Sequence, residues 1–140
     1  MGPRARPSEG VPTVTRVLLI GVGGFLGSVA RYTLSGTIQG LARSETFPYG
    51  TLVVNVIGCF AVGLVSYLAE SRGAFTADTR AFIVVGVLGG FTTFSAFGNE
   101  TINLVRGAEG WLASVNVIAH VVLGLGAVWA GRATAFSVWR

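Results

Sequence analysis

The stretch Gly89-Gly90-Phe91-Thr92-Thr93-Phe94-Ser95-Ala96-Phe97 interrupts an apolar run that covers about residues 80–105. Glycine weakens a helix, and hydroxyl side chains compete for backbone hydrogen bonds, so the sequence predicts that a helix opens at Gly89-Gly90 and leaves carbonyl oxygens unpaired. In hydrocarbon such groups need partners. Broken helices at membrane depth occur where the backbone is buried in protein or lines a cavity that holds water or ions. The stretch is therefore read as an ion site, against the alternative of a small-residue seam for helix packing that needs no ligand.

The rest of the chain supports the membrane setting. It has 140 residues, 51% of them hydrophobic and 11% charged, with a mean hydropathy of +0.68. A soluble domain carries about twice that charge. Apolar runs at about residues 17–38, 51–69, 81–105 and 111–131 are each near the roughly 20 residues that span a bilayer. Four spans fill the chain and leave no room for a soluble catalytic domain, and no nucleophile, base and orienting group stand on facing helices. The expected fold is an all-α membrane protein with four transmembrane helices, the third one broken. Residues 1–13 hold three of the four prolines and form an expected disordered tail, residues 14–134 the membrane domain, and 135–140 a C-terminal tail.

All ten basic residues are arginines, giving a net charge of +4 spread over the ends of the spans. No arginine cluster lies along one face, so nucleic acid is not an expected partner. Four spans put both termini and the second loop on one side, with Arg4, Arg6, Arg16, Arg72, Arg80, Arg132 and Arg140; the other side has Arg31, Arg43 and Arg106. The bias favours cytoplasmic termini, but much of it comes from the tail, so insertion in both orientations is compatible with the count. Cys59 is the only cysteine and forms no intrachain disulfide.

Several side chains within the spans ask for a partner. Gly23 and Gly27, four apart, let two helix backbones approach. Arg31 lies near the far end of the first span, either snorkelling to the interface or placing a positive charge at the mouth of an anion path. Asn55 shares a face with Thr51, Gly58 and Val62, and its amide serves either as interhelical glue or as part of a polar path. Phe94 and Phe97 share a face beyond the break, where aromatic residues are ordinarily packing contacts. Asn116, His120 and Gly124 form one stripe of the fourth span; a lone histidine there is more often packing than a proton relay, and a transition-metal site is not expected.

The runs GGFLGSVARY at residues 23–32, GTLVVNVIGCFAVG at 50–63 and GGFTTFSAFGNE at 89–100, in this order on a four-span chain, resemble the Fluc/CrcB fluoride channels over about residues 15–132. The resemblance implies a passive fluoride channel of the cell membrane that lowers fluoride toxicity. It implies an antiparallel, dual-topology homodimer with two pores and a structural sodium ion at its centre. On the same resemblance, the backbone oxygens of Gly89 and Thr92 match the sodium ligands. Asn55, Phe94 and Phe97 match pore residues, with Thr93 and Ser95 as further hydroxyl donors, and Arg31 matches a vestibule arginine. Two positions depart from the pattern: Ala96 stands where a threonine is expected, and His120 where a small hydroxyl or amide residue is expected. The competing readings are a small dual-topology proton-coupled exporter, for which the first two spans lack the necessary carboxylate, and a non-transporting assembly subunit.

Overall fold

The computed structural model describes residues 13–139, and the expected tail of residues 1–13 therefore lies outside it except for Thr13. Among the described residues the chain is helical throughout, with α1 (Val14–Ala42), α2 (Tyr49–Arg72), α3 (Ala77–Arg80), a π-helical stretch (Ala81–Leu88), α4 (Gly89–Phe91), α5 (Phe94–Arg106) and α6 (Gly110–Val138). Four spans are long and apolar enough to cross a membrane, α3 to α5 together forming the third. The protein is a multi-pass membrane protein. α6 runs on through Val138, into the segment 135–140 expected as a tail.

Local sequence accounts for the ends. Thr13 caps α1 by accepting from the Arg16 amide, and Thr76 caps α3 by accepting from Thr79 N at 3.2 Å, which satisfies amides that have no intrahelical acceptor. Pro48 stands at the entry of α2, where its missing N–H costs nothing. The turn between α1 and α2 is held by Gln39, whose amide donates to the carbonyls of Ser44 and Phe47 and accepts from Gly50 N at 3.1 Å.

The spans pack as two pairs. α1 lies along the π-helical stretch and α4, while α2 lies along α6. Glycines make both seams close. A Cβ on Gly23 would stand 2.7 Å from the Phe82 carbonyl oxygen, and one on Gly27 would meet the Val87 carbonyl oxygen and, at 2.8 Å, Phe91 N. In the other seam Gly63 faces the Val128 carbonyl and Gly131 the Phe60 carbonyl. Close backbone approach of this kind gives the dispersion contacts that hold helices together where lipid removes the hydrophobic drive. Two ion pairs tie the same end of the bundle: Arg16 Nε to Asp78 Oδ1 at 2.9 Å between the first and third spans, and Arg132 Nη2 to Glu70 Oε2 at 2.6 Å between the second and fourth.

The third span is broken, but not where its glycines lie. Gly89 and Gly90 remain helical, and the chain becomes extended at Thr92 (φ −86°, ψ 158°) and Thr93 (φ −151°, ψ 110°). The expected opening at Gly89-Gly90 is thus displaced by three residues. Gly90 serves packing instead, since a Cβ there would stand 2.5 Å from the Gly24 carbonyl oxygen of α1. The wide turns of the π-helical stretch precede the break, and such turns are frequent at functional sites. Beyond the break the span changes partner: α4 packs on α1, α5 mainly on α6.

Candidate functional site

Asn55, on α2, reaches the break with both ends of its amide. Its Oδ1 accepts from Thr93 N at 2.8 Å and its Nδ2 donates to the Thr93 carbonyl at 3.1 Å. In an unbroken helix Thr93 N would have donated to the carbonyl of Gly89. One turn later the same substitution recurs, because Ala96 N donates to Thr93 Oγ1 at 3.1 Å instead of to the carbonyl of Thr92. Gly89 and Thr92, the two carbonyls expected to hold a cation, have therefore lost their helical donors to side chains. Gly89 is also exposed on the outside of the chain. Thr92 is held otherwise: its N and Oγ1 both donate to the Leu88 carbonyl at 3.0 Å, and its methyl lies against Gly58.

The remaining predicted residues gather on the far side of the break. The hydroxyls of Thr93 and Ser95 lie 3.3 Å apart. The rings of Phe94 and Phe97 are in tilted contact, with centroids 5.3 Å apart and planes at 56°. They face different surroundings. Phe97 turns towards α6 and meets the His120 ring at 4.4 Å, while Phe94 is 83% exposed on the surface of the chain. One chain therefore half-buries Phe97 and leaves Phe94 uncovered.

A cavity of about 940 Å³ opens between the C-terminal part of α1, the start of α2 and α5. Arg31, Thr51, Thr93, Ala96 and Glu100 line it. Arg31 thus stands in the same vestibule as the break, and its Nε is buried with no hydrogen-bond partner among the described residues. Arg31 forms no ion pair among the described residues, although Glu45, Glu100 and Glu109 also line the cavity, so its charge is open to a mobile anion. Ala96 lines the wall where a hydroxyl was expected.

Three groups here were not assigned a role from sequence. Glu100 Oε1 accepts from Thr51 Oγ1 at 2.6 Å across α5 and α2, and its Oε2 is buried with no partner among the described residues. Thr101 Oγ1 donates to the Phe97 carbonyl at 2.8 Å and accepts from Asn116 Nδ2 at 2.9 Å, which fastens α5 to α6. Asn116 is fully buried. The spacing of Thr51 and Asn55, four apart on α2, was the one signal for the first contact, and nothing in the sequence paired Thr101 with Asn116.

A family model described as CrcB-like protein, Camphor Resistance (CrcB), matches residues 18–132. A protein of Methanosarcina acetivorans called fluoride-specific ion channel FluC 1 is 43% identical over 122 residues, 87% of this chain and 92% of its own length. Relatives called fluoride-specific ion channel FluC from Opitutus terrae and Desulforapulum autotrophicum are 48% and 47% identical over 120 and 116 residues, which are 84% and 83% of this chain and 90% and 92% of theirs.

Proposed function

The chain belongs to the CrcB family, and from that premise we propose that it is a fluoride-specific channel that lets fluoride leave the cell passively, without enzymatic chemistry. The observation on this chain that carries the reading is the side-chain-held break of the third span. Asn55 and Thr93 take over the donors of two carbonyls in the middle of a span, an arrangement that plain packing does not need.

On this reading Arg31 raises the local concentration of anion in the vestibule, where it forms no ion pair among the described residues. An anion passing the break meets hydroxyls at Thr93 and Ser95 and the second N–H of the Asn55 amide, since only one of its two amide hydrogens is used on the Thr93 carbonyl. The rings of Phe94 and Phe97 offer the positive edge of an aromatic quadrupole, which replaces part of the hydration shell of a small anion. Phe94 does this only if a second surface covers it. The antiparallel homodimer is the occupant we propose for that surface, and it is supported by the exposure of Phe94 and Gly89.

The carbonyls of Gly89 and Thr92 fit a structural sodium ion, because a hard cation takes oxygen ligands and these two have lost their helical donors. Such an ion, when bound, supplies fixed positive charge at the centre of the assembly. The test of the function is fluoride efflux from liposomes that hold the purified protein. Rapid, passive and fluoride-selective efflux is expected; efflux that requires a proton gradient favours the exporter, and no efflux overturns the channel reading.

A further inference from the structure

His120 is the single histidine of the chain, and its ring is tied at one nitrogen only. Nδ1 lies 2.9 Å from the carbonyl of Asn116. A carbonyl only accepts, so Nδ1 carries the hydrogen and donates it. In the neutral ring Nε2 is then a bare acceptor, and it is buried with no partner among the described residues. Protonation turns Nε2 into a donor that still has no acceptor from the protein. A buried N–H on a cationic ring needs an acceptor, and an anion is the strongest one, since it also compensates the charge.

The ring is in contact with Phe97, and the same α6 segment holds Phe97 a second time through Asn116, Thr101 and the Phe97 carbonyl. Among the described residues no charged group is bonded to His120. On α5, Glu100 accepts from Thr51 through Oε1, while its Oε2 is bonded neither to His120 nor to any other described residue, and Arg106 lies at the helix end; on α2, Glu70 is paired with Arg132, Tyr49 packs on Phe47 and Tyr67 on Phe136, and Cys59 lies beside Gly124, one turn along the His120 face. On α6 itself, Asn116 is the residue bonded to the ring.

We propose that His120 supplies a proton-dependent fluoride-binding position beside Phe97, with protonated Nε2–H as the donor. The inference rests on the fluoride-channel reading and adds a condition to it: occupancy of the path beside Phe97 rises as His120 takes up a proton. Because the two ligands assist each other, fluoride must favour protonation by the same factor.

The experiment uses purified full-length protein in liposomes, with efflux at sub-saturating fluoride followed from about pH 8 to about pH 5.5, across the ordinary histidine range, and with the leak of protein-free vesicles subtracted. Wild-type efflux is expected to rise about fivefold or more towards the acid end, a typical coupling between two sites, and His120→Asn to show a flat profile. The ring resonances of the sole histidine give an independent reading in the wild-type protein: fluoride, but not chloride, is expected to move their titration to higher pH. Equal pH profiles in both proteins, or a histidine titration that ignores fluoride, would overturn the inference while leaving the channel intact. Absence of efflux at every pH would instead overturn the channel reading, and this inference with it.

Discussion

Asn55 replaces, at Thr93, partners that a continuous helix would have supplied, and this makes it a structural residue as well as a pore candidate. Asn55→Asp keeps an acceptor for Thr93 N but sets a carboxylate oxygen against the Thr93 carbonyl. The substitution is expected to abolish fluoride efflux and also to lower stability by about 1–3 kcal/mol, the cost of a buried group left without its partner, readable as a fall in melting temperature. Phe94 is different because its ring is exposed on the single chain. Phe94→Ile is expected to reduce efflux strongly with little change in the melting of the chain, so the two variants separate pore chemistry from support of the break. For Arg31, whose Nε has no partner in the vestibule, Arg31→Gln is expected to slow efflux more at low than at high fluoride. An equal loss at all concentrations would assign Arg31 to packing.

The third span is the element on which the others depend, since its first half belongs to α1 and its second half to α6. The change of partner requires a rigid anchor before the break, and the anchor is the glycine seam with α1. Gly27→Ala pushes a methyl group into the backbone of Val87 and Phe91, whereas Gly21→Ala on the same helix meets nothing within 4 Å. The first is expected to destabilise the chain by about 1–3 kcal/mol, the usual cost of overpacking, and to reduce efflux by shifting the break; the second is expected to behave as wild type in both thermal melts and efflux. Equal behaviour of the two would show that the seam does not position the break. The hydroxyl of Thr92 also belongs to this anchor, as it donates to Leu88 within the same half of the span.

At the scale of the whole molecule, few residues of any span are fully buried within the chain, and Gly89, whose carbonyl has lost its helical donor, is among the exposed ones. A side chain on Gly89 has room within its own chain, its nearest contact being the Val84 carbonyl at 3.6 Å. On the proposed homodimer, Gly89→Leu is therefore expected to leave a folded chain that does not pair, read as the loss of a dimer in crosslinking or mass measurement of the purified protein. Sodium, if held between two copies, stabilises the pair by linkage and is not consumed by transport. Exchange of sodium for a large organic cation is expected to lower the melting temperature of the wild-type assembly and to leave Gly89→Leu unaffected. A folded, fully dimeric Gly89→Leu protein would place the shared surface elsewhere.

The sequence by itself settled the solvent, the number of spans and the identity of the residues around the break, because hydropathy and span length are local quantities that the bilayer reads directly. It also marked the third span as discontinuous, through glycines and hydroxyls set close together. It misplaced the opening, because a helix breaks where its backbone finds better partners, and at Thr93 those partners come from Asn55, 38 residues away. Gly89 and Gly90 looked like the weak point by propensity, yet Gly90 stays helical in close contact with Gly24. Which carbonyls lose their donors, which of two phenylalanines is covered and which histidine nitrogen is left alone are decided by tertiary contacts. Those outcomes depend on the relative rotation of packed helices, and periodicity along one helix carries no information about the face that its neighbour presents.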